Sequence, residues 1–147
     1  MGQIRLEAAR TLDARPERVW EILSDYRVGH PSILPKAFGP LHVEAGGVGA
    51  GTVISFDMRL GGSTRHFHGE VSAPEPGRQL VETYTDGSVT TFTITPADGG
   101  QRSQVRITTV GRTPRGPVGW LTSALAPRML RPIYDEELAN LERVARG

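Results

Sequence analysis

The run Thr52-Val53-Ile54-Ser55-Phe56-Asp57-Met58-Arg59-Leu60-Gly61-Gly62-Ser63-Thr64-Arg65-His66-Phe67-His68-Gly69-Glu70-Val71 decides the fold. Apolar and polar residues alternate on both sides of Gly61-Gly62, the period of strands with one buried face. With the two glycines as a two-residue hairpin loop, residue i pairs with residue 123 − i. Met58 then faces Arg65, Asp57 faces His66, Phe56 faces Phe67 and Ser55 faces His68. One face carries Ile54, Phe56, Met58, Leu60, Phe67 and Val71, and the other carries Ser55, Asp57, Arg59, His66, His68 and Glu70. The apolar face must be the buried, concave one.

Outward from this hairpin the period stays at two. Gly and Pro clusters cut residues 38–111 into six segments, 39–45, 52–60, 64–73, 79–85, 89–95 and 104–110, which predicts an antiparallel meander. A first strand is expected at 4–12. A helix follows, with Pro16 suited to its first position and Val19, Ile22, Leu23 and Tyr26 on one stripe. Gly29, Pro31 and Pro35 leave room only for a short second helix or a loop. After Gly116, Leu121, Leu125 and Leu130, then Tyr134, Leu138 and Leu141, suit a long C-terminal helix, interrupted near Pro127 and Pro132. The prediction is α+β, with seven antiparallel strands in a curved sheet, two short helices after the first strand, and a long last helix. A bent sheet covered by one helix leaves a tapered space between them, where small ligands bind.

The 147 residues are the size of one domain, and a single domain over 1–147 is expected. A chain of this size buries roughly two-thirds of its unfolded surface. No cysteine is present, which removes disulfides, thiolate metal sites and cysteine nucleophiles. The net charge is +1 and the charges are scattered, so no nucleic-acid partner is expected. No apolar leader and no run of 18 apolar residues occurs, so the reading is a cytoplasmic chain without stable membrane insertion.

Gly47-Val48-Gly49-Ala50-Gly51 resembles a phosphate loop, but a strand rather than a helix follows it, so it reads as a flexible hairpin. His66, His68 and Glu70 share one face and could approach a metal, yet that face is the wet one. A solvated surface with an Asp57–His66 pair is preferred, and no metal or other cofactor is expected. No Gly-x-Ser-x-Gly occurs. His30 and His42 fall in loop and strand-edge settings without a motif, while Trp20, Tyr26 and Trp120 read as core or rim aromatics.

Two positions break the partition of faces. Arg65 lies on the apolar face near the hairpin end, and either snorkels to water or waits for an oxygen inside. Glu82 and Tyr84 depend on the next turn. A two-residue Asp86-Gly87 loop pairs Val81 with Phe92 and points both outward; a three-residue loop with a bulge pairs Glu82 with Phe92 and turns both inward. The ordinary reading is a surface glutamate, because Glu is almost never buried unpaired.

The order of elements, the opening Ala14-x-Pro16-Glu17-x-Val19-Trp20-x-x-Leu23-x-Asp25, the Gly49-x-Gly51-Thr52 stretch and the Pro74-x-Pro76-Gly77-Arg78 turn resemble the SRPBCC superfamily. These are START-like helix-grip proteins, here within the group of polyketide cyclases, dehydrases and lipid carriers. The resemblance implies a cavity for a small hydrophobic molecule such as a lipid, isoprenoid, polyketide or aromatic metabolite, and leaves a homodimer open. Expected lining residues are Ile54, Phe56, Met58, Arg65, Phe67, Phe92, Leu121, Leu125 and Met129. A ligand-binding protein without chemistry is the first expectation. A cyclase- or dehydratase-like enzyme using Arg65, Tyr84 and Glu82 is the alternative, and a partner-binding module with a residual cavity is a third. A carrier should be polar only at its mouth, whereas an enzyme needs convergent polar groups deep inside.

Overall fold

The computed structural model describes residues 2–113 and 116–147, with the backbone alone for 118–123. Its elements run β1 (Gly2–Leu12), α1 (Pro16–Ser24), a 3-10 turn (Pro31–Ile33), β2 (His42–Ala45), β3 (Val53–Leu60), β4 (Ser63–Glu75), β5 (Gln79–Tyr84), β6 (Val89–Ala97), a second 3-10 turn (Asp98–Gly100), β7 (Arg102–Thr113) and α2 (Pro117–Arg146). The seven strands form one antiparallel sheet in the order β1-β7-β6-β5-β4-β3-β2. The sheet is curved and α2 lies against it, the helix-grip arrangement expected of the sequence. Leu138 and Leu141 of α2 join Leu6, Leu12, Val105 and Ile107 in one buried core.

The deciding hairpin has the predicted register throughout, from Val53 opposite Glu70 to Leu60 opposite Ser63. Gly61 turns the chain at φ +61°, a conformation that suits residues without a Cβ. Ile54, Phe56, Met58 and Val71 are buried, while His66 and Glu70 are exposed and His68 is half-exposed. His66 Nδ1 lies 2.8 Å from Asp57 Oδ1, the cross-strand pair expected on the wet face.

The β5–β6 turn follows neither proposed pairing. Tyr84 N donates to Ser88 O, so Thr85, Asp86 and Gly87 form a three-residue loop, and Glu82 stands opposite Thr90. Asp86 Oδ1 accepts from both the amide and the hydroxyl of Ser88, which fixes this turn. Glu82 and Tyr84 therefore point inward. The surface reading of Glu82 is corrected.

The glycine loop at 46–51 is anchored rather than a free hairpin. Tyr26 N donates to Gly47 O, Gly49 N to Ser24 O and Gly51 N to Val71 O. This ties the loop to the end of α1 and places Tyr26 beneath the sheet. The last helix runs without a break through Pro127 and Pro132, against the expected interruption. Pro132 is exposed, so the carbonyl its ring leaves unpaired one turn earlier can turn to water. Asn140 Nδ2 donates to Ile33 O, and the Glu142 carboxylate accepts from Arg10 and from Asp13 N, fixing the C-terminal half of α2.

Candidate functional site

Between α2 and the concave face lies a cavity of about 250 Å³. Its walls are mostly apolar: Ile54, Phe56, Met58 and Leu60 from β3, Phe67 from β4, Phe92 from β6 and Ile107 from β7. Leu34, Phe38 and Leu41 close one side from the loop before β2. A larger hollow of about 520 Å³ lies on the outer sheet face, lined by threonines and arginines such as Thr91, Thr93 and Arg106. It lacks the enclosed apolar wall that a small ligand needs, so the inner cavity is the candidate site.

Polar groups converge on the inner wall. Glu82, only 5% exposed, receives two short hydrogen bonds: Tyr26 Oη donates to Oε2 and Tyr84 Oη donates to Oε1, each at 2.6 Å. Gly69 makes room for this, since it sits opposite Tyr84 and a Cβ there would meet the Tyr84 ring at 2.7 Å. His30, 3% exposed, stacks on Tyr26 at 4.5 Å and reaches Glu82 Oε2 with Nε2 at 3.8 Å. Its Nδ1 lies 2.7 Å from the Leu23 carbonyl, which can only accept, so Nδ1 carries the hydrogen. A second row crosses the sheet beside Glu82: Thr90 bonds Thr109 at 2.8 Å, and Thr109 bonds Tyr134 of α2 at 2.7 Å.

Burial and the Glu82 charge push the Tyr26 and Tyr84 phenols well above the ordinary tyrosine value, so both stay protonated and donate. Tyr134 is pushed up to about 12, chiefly by burial. Glu137 of α2, 3% exposed and facing the cavity, is raised well above the usual glutamate value by burial and then by the charge of Glu82. Two carboxyl groups thus line one cavity in unlike settings: Glu82 accepts from two phenols, while burial and the neighbouring Glu82 raise Glu137.

A profile described as polyketide cyclase / dehydrase and lipid transport matches residues 3–146. The chain belongs to that family. Among solved structures, the solution structure of the KanY protein is similar at 30% identity, with a TM-score of 0.86 and full coverage of both chains, 100% and 100%. A protein of Thermus thermophilus shares the fold at 21% identity and TM-score 0.80, over 97% of each chain. So does the Zhui aromatase/cyclase of a Streptomyces species, at 16% identity and TM-score 0.79, over 99% of this chain and 94% of that one. No curated protein matches the sequence.

Within this polyketide cyclase / dehydrase and lipid transport fold, the expected site residues divide. Ile54, Phe56, Met58, Phe67 and Phe92 line the cavity, as do Glu82 and Tyr84. Arg65 reaches only the mouth, where it is exposed, pairs with Asp86 at 3.2 Å and lies over the Phe67 ring. It snorkels. Leu125 and Met129 are 44% and 40% exposed and do not line the cavity, which corrects their assignment. The lining face of α2 is Ala126, Leu130, Tyr134 and Glu137, and Leu125 and Met129 stand one residue, about 100° of helix rotation, away from it. The side chain of Leu121 lies outside the described residues.

His30 and Glu137 are not among the residues expected at the site, and Tyr26 is expected only as a core or rim aromatic. Tyr26 did fall on the buried stripe of α1, and a buried tyrosine needs a partner for its hydroxyl. Glu137 follows Tyr134 by three residues on the apolar stripe of α2, an equally readable sign. His30 carries no such sign, because a loop brings it in. Among the described residues, no group of three or more His, Asp or Glu is placed to hold a metal, and no helix is long and apolar enough to cross a membrane.

Proposed function

We propose that this chain holds a small, mostly apolar molecule between α2 and the sheet and transfers protons on it, a cyclase- or dehydratase-like chemistry. Glu82 is the base and the Tyr84 phenol a hydrogen-bond and proton donor. The carrying observation is the depth of Glu82: a carboxyl held by two phenols on the inner cavity wall, not at its mouth. A passive carrier has no use for that arrangement, since burying such groups costs free energy without aiding retention of an apolar molecule. The fixed phenols orient the carboxylate before the ligand arrives, and apolar walls exclude the water that would compete for the proton. The residual-cavity reading is disfavoured because side chains leave the space open.

Native mass spectrometry of freshly purified protein tests occupancy, with displacement of the neutral dye N-phenyl-1-naphthylamine as a second readout. A bound small molecule with a largely hydrocarbon skeleton, or saturable dye binding weakened by Phe56→Ala, is expected. A protein that is empty and takes up no dye refutes the reading.

A further inference from the structure

Glu137 has no part in the chemistry proposed above, yet it is buried and faces the cavity. Burial and the neighbouring Glu82 both oppose its charge, and no hydrogen bond or cation supports it among the described residues. Four rings lie in the same space. Phe56 is 5.5 Å from Phe38, 5.4 Å from Phe67 and 5.8 Å from Tyr84, and Phe67 and Tyr84 are 5.5 Å apart. The other titratable groups facing the cavity are His30, Glu82, Tyr84 and Tyr134. Arg65, Asp86 and Arg112 stand at its mouth, where Arg65 and Arg112 are exposed. Among the described residues, the interior is thus acidic and aromatic, with permanent cations only at the rim.

We propose that Glu137 and the aromatic rings of the same cavity make it a site for a protonated amine on an apolar body. This rests on the reading that the cavity holds a ligand, and adds the charge of that ligand. An ammonium group would give the carboxyl of Glu137 a charge-assisted donor and the ring faces a cation. A carboxylate ligand would instead meet two acids in a poorly solvated space. Entry of the cation favours the ionised form of Glu137, so its proton passes to the buffer as the amine binds.

The test uses three matched probes, 4-phenylbutylamine, 4-phenylbutan-1-ol and 4-phenylbutanoate, displacing N-phenyl-1-naphthylamine from the wild type and from Glu137→Gln. The amine should bind at least about tenfold tighter than the alcohol, the carboxylate weakest, and Glu137→Gln should remove most of that preference while the alcohol is unaffected. Calorimetry of the wild type in two buffers of unlike ionisation enthalpy should show proton release with the amine and none with the alcohol, a readout independent of how the variant folds. Equal binding of amine and alcohol, absence of proton release, or a carboxylate as tight as the amine overturns the amine assignment and leaves the cavity reading intact. Failure of the dye and of all three probes to bind overturns both.

Discussion

The Tyr26 hydroxyl donates to Glu82 Oε2 at 2.6 Å across 56 positions of the chain. Tyr26 lies two residues beyond the end of α1, and Glu82 lies in the middle of β5. The bond therefore sets the depth of the α1 terminus against the sheet and the orientation of the carboxyl inside the cavity. Because Tyr26 does not itself line the cavity, it acts on any ligand only through Glu82 and His30.

Tyr26→Phe keeps the ring and its stack on His30 but leaves one buried carboxyl oxygen without its phenol. Stability should fall by about 1–3 kcal/mol, the cost of leaving a buried polar group without its hydrogen bond. Urea unfolding measures it. An unchanged midpoint would mean that water replaces the phenol.

Gly69→Ala should act through Tyr84. The added Cβ would come within 2.7 Å of the Tyr84 ring, so the ring must shift and its bond to Glu82 with it. A loss of about 1–3 kcal/mol is expected from overpacking. Combining it with Tyr84→Leu should cost less than the sum of the two single changes, which a double-mutant cycle reads directly.

The buried acids give stability a pH dependence of known sign. Glu137 and Tyr134 both have folded-state pKa values raised by burial, so the folded chain holds protons that the unfolded chain has released. Stability contributed by each group is full below its unfolded value and falls as pH rises through the folded one. For Tyr134 the window runs from the ordinary phenol value of about 10 up to about 12. For Glu137 it opens above the ordinary glutamate value. Glu137→Gln should therefore gain stability relative to the wild type as pH rises from acid towards neutrality, measured by chemical denaturation across pH. A parallel pair of curves would contradict the buried, protonated Glu137.

Arg65→Met should change stability by no more than about 0.5 kcal/mol, since its partner Asp86 is met at the exposed mouth and such pairs are weak. It should also leave the relative binding of carboxylate, ketone and alkane ligands unchanged. A selective loss of carboxylate binding would place the guanidinium inside.

The sheet was legible in the sequence wherever a turn admits one geometry. Gly61-Gly62 permits a two-residue loop, and the faces of β3 and β4 followed from it residue by residue. Thr85-Asp86-Gly87-Ser88 admits several loops, and the one adopted depends on Asp86 bonding Ser88, a choice that periodicity does not encode. Glu82 stayed ambiguous for that reason: its burial requires a donor from beyond α1 that only the folded chain brings near. On α2, leucines were weighted over the smaller Ala126 and the acidic Glu137, yet a cavity wall differs from a core in needing little volume and some polarity.

Solvent-deuterium incorporation at the α-carbon of 2-tetralone, followed by proton NMR, tests the central claim most directly. The ketone is small, mostly apolar and carries an exchangeable C–H that a positioned carboxylate can remove. Wild-type protein should accelerate incorporation over buffer, and Glu82→Gln should slow that catalysed exchange by about 100-fold or more while still binding the ketone. Binding by the wild type without any acceleration, or exchange in Glu82→Gln as fast as in the wild type, would contradict a proton-transfer role for Glu82.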